Sequence, residues 1–255
     1  PGFTPDHLYS VSTSLQDARY RDPAAINQLF SSSIERLQRT PGTEAPTISQ
    51  GLPYQRLLNV GFRIEGKPDN DAQPPIANVA YVTPGFFETF SIALTEGRAI
   101  DDRDRVSMPT VAVVNETFRQ IYFKGEAALG QRLRYSDLTM EIVGVSRDVQ
   151  QFFGGFSLPQ MRRGPLVASP TVYLPAAQSE RGLLTAFSPV WTVRARSAAE
   201  VHFRLAGDHD FTMHEHFLTD LRSRDLGDDD AIAGGEAFAH FDESAAGRGG
   251  SHLDV

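Results

Sequence analysis

The stretch from Tyr81 to Val149 constrains the fold of this chain more than any other. It runs Y-V-T-P-G-F-F-E-T-F, E-G-R-A-I-D-D-R-D, T-V-A-V-V-N-E-T-F, L-G-Q-R-L-R and M-E-I-V-G-V, in that order. Thr83-Pro84 predicts a helix start whose apolar side carries Phe86, Phe87 and Phe90. Thr110–Val114 is a near-continuous apolar run, the pattern of a buried strand. Asn115 is placed to cap a second helix, with Glu116 at its positive end and Phe118, Ile121 and Tyr122 inward. Gly130 marks a turn, and Gln131–Tyr135 with Met140–Val145 predicts a hairpin.

The flanks follow the same logic. Leu8–Leu15 is rich in strand formers. Asp22-Pro23 sets a helix start, and Ile26, Leu29, Phe30, Ile34 and Leu37 place one apolar stripe on residues 23–39. Thr40-Pro41-Gly42 stops that helix, and Thr47–Ser49 predicts a short strand. Gly61–Gly66, Asn78–Val82, Pro170–Leu174 and Val190–Ala195 are further strands, and residues 67–75 form a polar loop. Residues 150–170 predict a long loop. Strands and helices mix without a strict βαβ repeat. The expected class is therefore α+β, with two small layered α/β subdomains and a C-terminal tail expected to be disordered.

Charge divides the chain more sharply than any motif. Residues 1–200 hold 20 acidic and 20 basic side chains; residues 201–255 hold 12 acidic and 4 basic, together with six of the seven histidines. A segment so acidic and so poor in large apolar side chains recovers little of its chain entropy by burial. No basic stripe exists, so nucleic acid is not an expected partner. The chain has no cysteine, which removes disulfides and thiolate metal sites. No run of 18 apolar residues and no leader-like segment occurs, and the abrupt opening Pro1-Gly2-Phe3 looks like an excised piece of something longer.

Chemistry-bearing motifs are scarce. Asp101, Asp102 and Asp104 lack the glycine and terminal glutamate of a calcium loop, and Arg98, Arg103 and Arg105 interleave with them, so mutual neutralisation at a solvated turn is expected. There is no phosphate loop, no dinucleotide fingerprint and no nucleophile elbow. In the tail, His209, Asp210, His214, Glu215 and His216 could suit a divalent metal, and on a helix Asp210 and His214 would share a face. The H-E-x-x-H spacing is absent. These residues leave open a soluble metal-binding enzyme or a binding module. The expectation from the rest of the chain is no catalytic residue, no cofactor and no metal site. Phe152, Phe153, Phe156, Arg162 and Arg163 combine residue types enriched at interaction hot spots and form the candidate interaction surface.

The order of these pieces resembles the MacB-like periplasmic core domain of ABC transporter permeases, especially the duplicated acidobacterial type. The resemblance covers residues 1–197. It is carried by Gly2-Phe3 with Leu8, Thr83-Pro84-Gly85-Phe86-Phe87, Gly97-Arg98, Val113-Val114-Asn115-Glu116, Leu129-Gly130, Val143-Gly144-Val145 and Val172-Tyr173-Leu174-Pro175. It implies a porter-like part (1–80 with 150–197), an inserted small α/β part (81–149) and a distinct acidic, His-rich tail (198–255). It also implies a non-catalytic domain at the periplasmic face of the bacterial inner membrane, transmitting ATP-driven conformational change to a substrate or partner protein. The implied partners are the membrane-embedded remainder of the permease or a second permease copy, a separate ATP-binding subunit and a periplasmic protein. In the family a helix, a last strand and three membrane helices follow the core; here the sequence turns acidic instead.

The break at residue 200 sets a test. A chain ending there is expected to keep one cooperative thermal transition; loss of that transition would show that the tail packs on the body.

Overall fold

The computed structural model describes residues 2–15, 18–55, 58–68, 74–152, 166–179, 188–195, 202–205 and 209–212. The strands are β1 (Leu8–Ser12), β2 (Thr43–Ser49), β3 (Leu58–Gly61), β4 (Arg63–Ile64), β5 (Ile76–Val82), β6 (Leu94–Gly97), β7 (Val111–Asn115) and β8 (Arg132–Tyr135). They continue as β9 (Leu138–Ser146), β10 (Gln150–Phe152), β11 (Leu166–Ala168), β12 (Thr171–Pro175), β13 (Val190–Ala195), β14 (His202–Leu205) and β15 (His209–Thr212). The helices are α1 (Pro23–Arg39), α2 (Phe86–Thr89) and α3 (Glu116–Phe123). The architecture is mixed α/β, mostly sheet with few helices.

Eleven strands form one sheet in the order β1-β13-β2-β5-β12-β7-β9-β8-β4; β3 adds to β5 and β6 to β9. Most neighbours are antiparallel, but β12 lies parallel to β5 and β7 parallel to β9. β12 also pairs antiparallel with β7. Of the strands after residue 149, β12 and β13 belong to this sheet, while β10 pairs only with β11.

Alternation along the strands gives the sheet two apolar faces. Val79, Tyr81, Val114, Val172 and Leu174 face one cluster, shared with Ile26, Leu29, Phe30 and Leu37 of α1 and Phe118 and Phe123 of α3. Ala80, Val82, Val113 and Tyr173 face the other, shared with Phe86 and Phe87 of α2 and with Phe3, Phe90 and Ile100. Burying side chains on both faces explains why β7 and β12 show no polar alternation.

Local signals place most helix ends. The Asp22 carboxylate accepts from Ala24 N at 2.9 Å, with Pro23 at the first helical position. Asn115 Oδ1 accepts from Phe118 N at 3.0 Å and so caps α3. Thr83-Pro84 does not cap α2. The N-cap is Gly85, at φ 88° and ψ −13° without a side-chain bond. Pro84-Gly85 occupies the centre of a type II turn, and Thr83 Oγ1 instead accepts from Ile48 N at 2.8 Å on β2.

Ile121 is exposed rather than inward, and Phe123 takes its place in the core. Successive helical residues turn by about 100°. An arc holding Phe118, Tyr122 and Phe123 therefore leaves Ile121 outside. β2 begins four residues earlier than the apolar pattern suggests, because Thr43–Glu44 pair with Arg194–Ala195. The ends of the expected 150–170 loop form a ladder, β10 with β11. In the tail, β14 and β15 form a separate antiparallel hairpin, so Asp210 lies on a strand and shares no helix face with His214. The rest of the tail falls outside the described residues.

The crossing of β6 on β9 depends on two glycines. A Cβ on Gly144 would lie 2.1 Å from Arg98 O, and one on Gly97, at φ 69°, would lie 2.2 Å from Val143 O. Both obstacles are backbone, which cannot rotate away. Gly144→Ala is expected to destabilise the chain by about 3 kcal/mol. Denaturant unfolding checks this, and a change below about 1 kcal/mol would contradict the close approach.

Candidate functional site

Three places combine defined geometry with exposed or polar groups. The first is the base of the segment that holds the sequence-selected aromatic and arginine residues. Phe152 ends β10, opposite Leu166. Phe153, Phe156, Arg162 and Arg163 lie outside the described residues. The base itself is fixed by side-chain amides, of which those of Asn78, Asn115 and Gln151 are buried. Asn59 Nδ2 donates to Asn78 Oδ1, and Asn78 Nδ2 donates to Gln151 Oε1. Beside them, Asn115 Nδ2 donates to Ser169 O at 2.8 Å, while Asn115 Oδ1 accepts from Thr171 N at 2.9 Å. Buried amides with partners at each end rigidify their strands. Gln151 of β10 is thereby tied to β5, and the residues that follow β11 are tied to Asn115 at the end of β7.

The second place is the acidic turn after β6. Arg98 grips Asp104 with two bonds of 2.8 Å, and Asp104 Oδ2 also accepts from Asp101 N at 2.9 Å. Asp104 is buried while Arg98 stays partly exposed, so the carboxylate side of this bidentate pair is shielded from water. Asp101 pairs with Arg103 at 2.7 Å and Arg98 at 3.3 Å. The Arg103 side-chain hydrogen bond holds the Asp101 carboxyl down to about 2. Arg98 and Arg103 engage Asp101 and Asp104 as the alternation predicts, but the Arg105 side chain donates to the Asp102 carbonyl, and Asp104 is buried where the sequence pattern predicts a solvated turn. Among the described residues no group of three or more His, Asp or Glu side chains is arranged to hold a metal. His214, Glu215 and His216 lie outside them, and His209 sits on β15 opposite Leu205.

The third place had no signal in the sequence. β1 and β13 are antiparallel neighbours, Leu8 opposite Arg194, so residues 2–7 pass close to the end of β13. An open cleft there is lined by His7, Glu44, Arg194 and Ala195. The Arg194 guanidinium donates to the carbonyls of Asp6, Thr4 and Thr89 and to Ser91 Oγ. Its acceptors are mostly backbone, so no residue type in the sequence announces them. Gln178 is a similar case: its Nε2 donates to the carbonyls of Arg105, Met108 and Pro109.

Among the described residues these places are braces, anchors and edges. Residues 4–203 match the MacB-like periplasmic core domain, and the chain belongs to that family. The family makes it a periplasmic domain of an ABC transporter permease. It is 26% identical over 153 residues to the macrolide export ATP-binding/permease protein MacB 1/2 of Paracoccus denitrificans (strain Pd 1222), covering 58% of this chain and 19% of that protein. It is 26% identical over 137 residues to the uncharacterized ABC transporter permease YvrN of Bacillus subtilis (strain 168), covering 52% of this chain and 31% of that one. The chain thus spans less than a third of either relative.

Among solved structures, the periplasmic region of MacB from Actinobacillus actinomycetemcomitans aligns with a TM-score of 0.47 at 15% identity, over 76% of each chain. The extracellular domain of the noncanonic ABC-type transporter YknZ from Gram-positive bacteria aligns with a TM-score of 0.46 at 14% identity, over 75% of this chain and 84% of that one. Among the described residues no helix is long and apolar enough to cross a membrane.

The acidic turn gives a test. The folded-state value of Asp101 is depressed from an ordinary 3.8. Its contribution to stability is therefore complete well above pH 3.8 and is lost as pH falls through about 2. An NMR titration should place its midpoint near 2, and Arg103→Ala should return it toward 3.8. Asp104→Ala strips Arg98 of its buried partner and is expected to cost about 2–4 kcal/mol in denaturant unfolding.

Proposed function

We propose that this chain is the force-transmitting extracytoplasmic domain of an ABC permease, non-catalytic itself, which passes ATP-driven movement of membrane helices to a substrate or partner protein. One observation carries this reading beyond family membership. The pairing of β1 with β13 puts the two ends of the core side by side at one edge of the sheet. A displacement applied at that edge enters the ladder that runs through β2 to β5 and β12. In the intact permease the ATPase is a separate subunit, the domain stands at the periplasmic face of the inner membrane, and a second permease copy or a periplasmic protein meets it. The 81–149 segment acts as the inserted part, borne on β12 through β7. The name of one relative includes macrolide export, which makes macrolide efflux the first activity to assay.

The assembled permease tests this directly. This chain contributes no cysteine, so in a permease whose other subunits and segments are also freed of cysteine a single Ala127→Cys spin label per copy reports the distance between two copies of the domain. ATP is expected to shift that distance by several ångströms, roughly the scale of a helix or domain displacement. An unchanged distance would overturn the reading.

We assign the contact surface to Phe152, Phe153, Phe156, Arg162 and Arg163. Replacing the phenylalanines with Ser and the arginines with Ala is expected to reduce transport at least about tenfold, the scale of a lost hot spot. ATP hydrolysis and the melting transition of the domain should stay as they were. Undiminished transport would remove the segment as the functional surface.

A further inference from the structure

Residues 2–7 form a strap over the second apolar face. Phe3 is buried there, stacked on Tyr54 with ring centroids 6.5 Å apart and edge-on to Phe90 at 6.2 Å. Thr4 N donates to Phe90 O at 3.0 Å. A Cβ on Gly2 would lie 2.1 Å from Asp148 O, so the strap starts hard against the entry to β10. At its other end the chain reverses at His7, which adopts φ 60°.

Arg194 holds this strap. It sits at a register shift between β13 and β2, and such irregularities re-aim side chains. The guanidinium reaches Thr4 O at 3.2 Å, Thr89 O at 2.7 Å, Ser91 Oγ at 3.4 Å and also Asp6 O. One side chain of β13, a strand paired on both sides, thereby joins the strap and the end of α2. Three non-glycine residues near it have left-handed backbone: His7, Ala45 and Ser91, at φ 60°, 45° and 54°. Such a backbone is unfavourable for a residue with a Cβ and persists only where its surroundings hold it. Thr89 Oγ1 donates to Ala45 O, tying the same helix end to β2. A guanidinium supplies five donors in a fixed plane, a pattern that an ammonium cannot reproduce.

We propose that Arg194 is the clasp of the domain: it couples residues 2–6 to α2 and β13, so displacement of the strap reaches the sheet through this side chain. The proposal rests on the force-transmitting reading above. Arg194 is a positioning residue, and its removal frees the strap without unfolding the sheet. The core amides of β7 and β12 lie beyond its reach.

Hydrogen–deuterium exchange of the full chain tests the clasp itself. In Arg194→Met the Thr4 amide should exchange at least about tenfold faster, the signature of local opening. Val113 and Tyr173 should keep their protection. Arg194→Lys should show a smaller increase at Thr4, since it keeps the charge but loses the fork. Unchanged exchange at Thr4 in Arg194→Met overturns the clasp. So does equal acceleration at Thr4, Val113 and Tyr173, which would mark a purely structural role.

The label at residue 127 then tests coupling. If ATP shifts the distance between copies in the parent permease, Arg194→Met should cut the shift at least by half. A full shift in Arg194→Met overturns the proposal. Absence of a shift in the parent permease counts against the proposed function, and the exchange result still decides the clasp.

Discussion

The pairing of β12 with two partners holds this molecule together. Thr171–Pro175 lies parallel to Asn78–Val82 on one side, and Val172 and Tyr173 lie opposite Val114 and Val113 on the other. Without that strand the sheet separates into one group around β5 and another around β9. The join is long-range in sequence, since β12 closes on β5 only after β6 to β11 have been laid down. Its side chains also serve both apolar faces, with Val172 and Leu174 on one and Tyr173 on the other. Burial pushes the Tyr173 hydroxyl well above the usual range for a phenol, so it stays neutral between Phe86 and Phe87.

Polar groups complete what apolar burial begins. The amide chain from Asn59 through Asn78 to Gln151 links β3, β5 and β10, and Asn115 links α3 to the start of β12. Asp148 adds to it by accepting from Thr117 N and Thr117 Oγ1, each at 2.8 Å, at the start of α3. These bonds fix relative position more than they add net stability, because the same groups would bond water when unfolded.

Elements set by neighbours in sequence were legible. Asp22-Pro23 and Asn115 mark helix starts through their own side chains, and the Arg132–Tyr135 and Leu138–Ser146 hairpin needs only a short turn. Elements set by distant partners were not. Thr43 and Glu44 are strand because β13 is beside them, and Gln150–Phe152 because β11 is. Strand preference depends on context of that kind. The pairing of Asp101 and Asp104 with Arg98 and Arg103 followed from alternating charges, whereas the burial of Asp104 did not. The Arg194 contacts could not, because backbone carbonyls exist at every position and only the fold selects which ones converge.

Trp191 is the single tryptophan of the chain, and it is fully buried where α1 docks on the sheet. Its ring meets Phe30 of α1 edge-on at 5.7 Å, and its Nε1 has no hydrogen-bond partner among the described residues. An indole in such surroundings emits at short wavelength, and lifting α1 would expose it to water and move the emission to the red. The molecule therefore carries a native optical reporter on the face opposite the strap, three residues along the same strand from Arg194.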